Sequence, residues 1–430
     1  MRSLRFAALA FCVTTAVVAC GGGEPGSDDY DVVDVPNTPA ERQALGNCWL
    51  YAQASWAESM HLRATGEVFD ISQTYWTYWH LYDQITADGV DAITTGGGQL
   101  RSNRIVLERG LMHELDFVPE DANDEMAFSQ SDALLEVNLA LRVGELESAE
   151  ARRDGALVRD VLDEAFGLAD DVRSDLDDVF GEDGERRFDL GNAEAWSSDV
   201  VPAAEFDVLY TKRRLWGYWI DEQIAHLDDA IAAWHLVDYP SPQDVGSADD
   251  LADARREVMI RVQKALHDRQ PVVLTWDVDF NALEEREDHP RRGSFNIWTL
   301  NEAGGPGTQG GHMVVLEDYQ VWTPEYGLLE AGVTLDPAKP QDAAKLEAAL
   351  SPWAQVDFLR IKNSWGALRD DRAFAPGMPG YHDLWLDYLD GPITWCDDDS
   401  DPGTKEGGDD QEGCTGTSHP MRTLYLPPGY

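Results

Sequence analysis

The hydrophobic period changes once along this chain, and that change limits what it can fold into. From Trp49 to about residue 265 apolar residues recur mainly at helical spacing. Examples are Trp49, Ala52, Trp56 and Met60, then Leu134, Val137 and Leu141, then Leu251, Ala254, Val258, Val262 and Ala265. The set Ile220, Ile224, Leu227, Ile231 and Trp234 reads the same way. From Pro271 the pattern is β-rich: Val272–Val278, His312–Leu316, Leu359–Lys362 and Gly380–Tyr388. The spacing therefore predicts helices first and strands second, and 43% hydrophobic residues is enough to fill cores for both.

Three residues of specific chemistry stand in distinctive short contexts. Cys48 lies in Gln43-Ala-Leu-Gly-Asn-Cys-Trp-Leu-Tyr-Ala52, at the start of an amphipathic helix that Gly66 would stop. A free thiol has a pKa of about 8.5, and an imidazolium together with a helix N-terminus can lower it to about 3–4. Asn47 is a good N-cap, which would place Cys48 in the first turn, where the helix dipole favours a thiolate. His312 lies in Gly310-Gly-His-Met-Val-Val-Leu316, and Asn363 lies in Ile361-Lys-Asn-Ser-Trp-Gly366. Singly, each has a plainer reading: a buried small thiol, a histidine at a strand end, a turn with a buried Trp. Together they supply a nucleophile, a base and a group to orient the base.

Cys, His and Asn in this order and these contexts resemble the papain-like cysteine peptidases. The stretches Phe69–Tyr82, Gly96-Gly-Gly-Gln99 and Ile105–Leu111 are similar to blocks of the bleomycin hydrolase (aminopeptidase C) branch. The resemblance covers residues 37–395. It implies an α+β fold of two lobes, with a helical lobe carrying Cys48, an antiparallel β-barrel lobe carrying His312 and Asn363, and an active-site cleft between them. It also implies a helical insertion over 125–265, which makes the Cys-to-His interval 312 − 48 = 264 residues. The implied roles are Cys48 as nucleophile, His312 as base and acid, Asn363 as the orienting group, and Trp365 as a shield over the Asn–His bond. No metal or organic cofactor is implied. The substrate would be a peptide or protein cleaved through a thioester, and the branch implies trimming from the amino end. A catalytically silent peptide-binding protein and an acyltransferase to amines are the alternatives.

The family motif, Cys-Gly-Ser/Ala-Cys-Trp/Tyr, matches Leu45-Gly46-Asn47-Cys48-Trp49 here, and the bleomycin hydrolase branch also lacks the first Cys. The oxyanion Gln usually stands six residues before the nucleophile. That position is Arg42, and Gln43 stands five before. Gln43 is the expected donor, in a loop one residue shorter. The His-to-Asn interval, 363 − 312 = 51, predicts an insertion near 330–355 that is helical around 343–350.

The flanks carry targeting signals. Arg2 and Arg5 precede an apolar run from Phe6 to Ala19, too short to be a mature membrane span. Val17-Val-Ala-Cys20-Gly21 resembles a bacterial lipobox, which implies that residues 1–19 leave and Cys20 is lipidated. Gly21 after the Cys favours the outer membrane of a Gram-negative envelope. An ordinary secretory signal is the alternative. Residues 20–36 read as a flexible tether. Only 48 − 20 = 28 residues separate Cys20 from Cys48, too few for a folded inhibitory pro-region.

In the acidic extension 396–430, Cys396 and Cys414 form an even pair in an oxidising compartment, so a disulfide worth about 3 kcal/mol is expected. Two free thiols are the alternative. The acids between them read as a solvated loop rather than a cation site. The net charge of −47, with 80 acids against 33 bases, excludes a nucleic-acid partner. Oligomeric state is not written in the sequence.

Overall fold

The structure is a computed structural model that describes residues 35–87, 93–123, 126–194, 198–213, 220–333, 335–369, 372–375, 377–395 and 416–430. The signal segment, Cys20, most of the tether, Cys396, Cys414 and the acidic loop lie outside the described residues. The class is α+β, as expected from the sequence.

The helical part starts with α1 (Cys48–Thr65), α2 (Gln73–Thr86), α3 (Gln99–Arg109) and α4 (Glu114–Phe117). It continues with α5 (Phe128–Val143), α6 (Gly155–Ala165) and α7 (Asp170–Phe180). α1 is the central helix of this part and is buried at almost every position from Cys48 to Met60. It ends where Gly66 takes φ 77° and donates its N–H to Leu62 O, a left-handed stop that costs glycine little. α2 starts at Ser72, whose Oγ accepts from Tyr75 N at 3.1 Å. The aromatic run of α2 is core: Tyr75, Trp76, Tyr78 and Trp79 are all fully buried. The buried Arg109 guanidinium lies 3.7 Å from the Trp79 ring centroid.

The described residues between 126 and 265 are less helical than their periodicity predicts. Asp207–Arg213 (β1) and Ile220–His226 (β2) pair antiparallel, followed by α8 (Leu227–Ala233), β3 (His235–Asp238) and α9 (Ala248–His267). Ile220 and Ile224 therefore lie on a strand and do not continue the helix of Leu227 and Ile231. Ile224 is exposed, so its helical spacing from Leu227 and Ile231 reflects no shared buried face. The strand-favouring run Val208-Leu-Tyr-Thr211 supplies the partner that captured this segment.

The next strands are β4 (Val272–Asp279), β5 (Ser294–Phe295), β6 (Gln309–Thr323), β7 (Gly327–Leu329), β8 (Gln355–Lys362) and β9 (Tyr381–Trp385). β10 (Ile393–Trp395), β11 (Gly416–Ser418) and β12 (Met421–Leu426) come last. Among them run α10 (Ile297–Ala303), α11 (Pro340–Ala349) and α12 (Leu386–Leu389); α11 is the helix expected in the His-to-Asn insertion. The main sheet has the order β3-β12-β4-β6-β8-β9-β5, with β7 beside β6. β12 places Tyr425 against Trp56 of α1 and Trp234, so the last strand ties the sheet to the helices.

Side-chain alternation along β4 and β6 separates two cores. Val273, Met313 and Val315 pack with α1 and the other helices, while Val272, Leu274, Val314 and Leu316 face the second core with Trp276 and Phe295. The sheet is thus a shared wall, and α1 lies along one side of it. Among the described residues no helix is long and apolar enough to cross a membrane.

Candidate active site at the helix–sheet seam

Cys48 is the first residue of α1 and is buried. Asn47 occupies the N-cap position but does not cap with its side chain. Its Nδ2 instead donates to Thr77 Oγ1 at 3.0 Å and to Gln130 Oε1 at 2.8 Å. The expected capping role is therefore corrected: Asn47 fastens the loop to α2 and α5. The backbone N–H groups of Met313, Trp49 and Cys48 favour the thiolate, but burial outweighs them and pushes the Cys48 thiol up to about 11. Trp49 anchors the helix start by donating Nε1–H to Thr95 O at 2.9 Å, and Gly97 lies so close to this indole that a Cβ there would meet it at 2.3 Å.

His312 lies on β6 opposite Trp276 of β4. Its Nε2 is 2.7 Å from Asn363 Oδ1. The Ser364 backbone N–H also donates to this Asn363 atom, at 2.8 Å, which identifies it as the amide oxygen. The His312 Nε2 must then carry a proton, leaving Nδ1 bare as the ring's acceptor. Trp365 stacks on the imidazole with centroids 4.9 Å apart and planes 24° apart. Burial holds the ring down to about 4, with the Asn363 bond opposing that shift and Arg372 adding to it.

The structure brings His312, Asn363 and Trp365 into one contact set and places Cys48 beside it. Cys48 packs in one buried core with Met313, the residue after His312, whose N–H favours the thiolate. Among the described residues no hydrogen bond joins Cys48 Sγ to the His312 ring.

Gln43 belongs to a segment sewn to the Asn363 loop. Gln43 N donates to Ser364 O at 2.9 Å, and Gly366 N donates to Glu41 O at 2.8 Å. Its side chain is held at both ends: Ser364 Oγ donates to Oε1 at 2.6 Å, and Nε2 donates to Leu45 O at 2.7 Å. An amide nitrogen has two hydrogens, so one remains for a further acceptor.

Sequence reasoning missed a polar cluster under the seam. Lys362 Nζ donates to Thr38 Oγ1 at 2.7 Å, and Thr38 Oγ1 donates to Glu58 Oε2 at 2.5 Å. Glu58 Oε1 accepts from Ile71 N at 3.0 Å. Burial raises Glu58 to about 6 although Lys362 pulls it down, and burial also lowers Lys362. Oxygens of Glu41, Glu58 and Asp70 lie within 4.8 Å of one another, near enough to share a cation. The Lys362 ammonium already supplies a positive charge there. A signal existed: the chain has only six lysines, and one directly precedes Asn363. His382, beside Asn363, was also missed.

No protein-family model matches the chain, and no curated protein matches it. Solved structures do. PepW from Lactobacillus rhamnosis HN001 matches over 92% of this chain and 81% of its own, at 11% identity and a TM-score of 0.39. Xylellain, a cysteine protease from Xylella fastidiosa, matches over 93% and 86%, at 12% identity and a TM-score of 0.35. A structure from a study of the mite allergens Blo t 1 and Der p 1 matches over 96% and 73%, at 12% identity and a TM-score of 0.32.

Proposed function

We propose that this chain is a cysteine-type peptidase that cleaves peptide amides through Cys48. The observation that carries the reading is the fixed polarity of the Ser364–Asn363–His312 set. It leaves His312 Nδ1 unprotonated on β6, whose next residue, Met313, shares a buried core with Cys48. In this reading the Cys48 sulfur attacks the scissile carbonyl carbon as the thiol proton passes to His312 Nδ1. A C–S bond forms and the carbonyl π pair moves onto oxygen. The Cys48 N–H and the remaining Gln43 Nε2–H would receive that oxyanion. Collapse breaks the C–N bond, and His312 gives its proton to the departing amine, leaving a thioester. Water then attacks the thioester with His312 again as base, releasing the acid and restoring the thiol.

The finer form of this reading is aminopeptidase-like trimming, supported by the sequence blocks at 69–82 and 96–111. N-acetylation of substrates tests it: a trimming enzyme loses activity on the blocked peptide, and an endopeptidase does not. We further propose that Cys20 anchors the protein by a lipid to the cell envelope. Labelling with a radioactive fatty acid, abolished by Cys20→Ser, tests the anchor.

A second reading, a silent peptide-binding protein, is favoured by one observation: burial keeps both the thiol and the imidazole neutral. One experiment separates the two. A thiol-directed epoxide should label Cys48 stoichiometrically, with labelling lost in His312→Ala, and a peptide library should be cleaved. A protein that neither labels nor cleaves is not a peptidase.

A further inference from the structure

His382 is fully buried on β9, opposite Ile361 of β8, in a site walled by the rings of Trp365, Phe295 and Phe374. In that aromatic setting its Nδ1 lies 3.3 Å from Asn363 Nδ2. The Ser364 N–H has already identified the other end of the Asn363 amide as oxygen, so Asn363 donates here and His382 Nδ1 accepts. The two rings and the amide form one directional chain. His312 Nε2–H donates to Asn363 Oδ1, and Asn363 Nδ2–H donates to His382 Nδ1.

On the proposed peptidase reading, we propose that His382 is a positioning residue that stops the Asn363 amide from rotating, so that Oδ1 stays on His312 Nε2 and Nδ1 stays bare for the thiol proton. A rotated amide would set N–H against N–H at His312 and lone pair against lone pair at His382. Both buried mismatches are costly, so the two histidines define one orientation between them. A hydrocarbon at 382 would fill the space but remove the acceptor, leaving the amide held from the His312 side and by Ser364 alone. The acceptor is also durable. Burial, with the His312 and Arg372 charges adding to it, holds His382 down to about 3, so it stays neutral across ordinary working pH.

The test uses the full-length chain with His382→Leu, His382→Asn, His382→Gln, Asn363→Ala and the Asn363→Ala/His382→Leu pair. Two rates are read for each: kcat and KM on a cleaved peptide, and the labelling rate of Cys48 by a thiol-directed epoxide. Loss of one hydrogen bond corresponds to about a tenfold fall in kcat and in labelling rate for His382→Leu, with KM unchanged. His382→Asn should recover most of this, because its Oδ1 falls where Nδ1 stood. His382→Gln should not, because its oxygen reaches one bond further. The double variant should be no slower than Asn363→Ala, since His382 acts only through that amide. The proposal is overturned if His382→Leu matches wild type, if Asn and Gln behave alike, or if the two losses multiply. Should His382→Leu not fold, the Asn and Gln variants still decide. A wild-type chain that labels in a His312-dependent way yet cleaves nothing would defeat the peptidase reading, while the labelling series would still judge His382.

Discussion

Replacing Lys362 by methionine should destabilise the fold by an amount that depends on pH. The ammonium is buried at the end of β8, and the bridge Lys362–Thr38–Glu58 connects the sheet to α1. Methionine keeps the stem but leaves Glu58 beside Glu41 and Asp70 without the cation. Removing one partner of a buried pair costs about 3–5 kcal/mol. Glu58 can reduce that cost by taking a proton, because it already stands at about 6 against an ordinary 4.5 and would rise further once Lys362 no longer pulls it down. A carboxyl with a raised folded-state pKa binds more protons folded than unfolded. Its contribution is therefore complete below the unfolded value and is lost as pH rises through the folded one. Each unit by which Glu58 rises is worth about 1.4 kcal/mol of extra loss on the alkaline side. The expected deficit is about 1–2 kcal/mol at pH 5 and about 3–5 kcal/mol at pH 8. Urea unfolding followed by tryptophan fluorescence at the two pH values measures it. A deficit equal at both, or under about 1 kcal/mol at pH 8, would show that the lysine does not neutralise these acids.

Three further outcomes are expected. Gln43→Ala should lower kcat by about 10²–10³ with little change in KM, read by steady-state kinetics; an unchanged kcat removes Gln43 from the oxyanion site. Thermal stability should peak at about pH 6–7. His312, His382 and His80 are held near 4, 3 and 4, so their contribution is present above the unfolded 6.5 and is lost as pH falls, while Glu114, raised to about 8, and Glu58 lose theirs as pH climbs. A Tm that changes in one direction only from pH 4 to 9 contradicts this. Finally, the net charge of −47 should favour cationic peptides at low ionic strength and lose that preference in salt, and equal turnover of basic and acidic peptides at low salt would rule out steering.

What was legible in the sequence was whatever a local pattern records. The start of α1 at Cys48 and its stop at Gly66, the strand at Val272 and the helix between His312 and Asn363 all arise from periodicity and punctuation. Cys48, His312 and Asn363 could be picked out because each sits in a distinctive short context. The failures have one physical cause, that partners distant in sequence override local preference. Asn47 has the right chemistry to cap α1, but Thr77 and Gln130 compete for its amide. Ile220 and Ile224 keep helical spacing with Leu227 and Ile231, yet the earlier strand β1 captures them. Glu58 looks like any acid on a helix until Lys362, 304 residues later, arrives beneath it through Thr38. His382 carries no signal, because its partner is defined only once β8 and β9 pair.

The burial that assembles the site also decides how it can work. Raising the thiol from 9.0 to about 11 disfavours the thiolate by about 3 kcal/mol, and lowering His312 from 6.5 to about 4 disfavours the imidazolium by about as much. Burial therefore favours the neutral pair. A preformed thiolate–imidazolium pair is thus not the resting state that this geometry supports. On the proposed peptidase reading, proton transfer accompanies attack on the substrate carbonyl, when charge on the sulfur passes into a bond and the developing negative charge moves to an oxygen facing N–H donors. For that route the bare Nδ1 matters more than the charge of the ring. On the same reading, the residues that fix the tautomer, Asn363 with Ser364 on one side and His382 on the other, would govern reactivity more than any group that shifts a pKa.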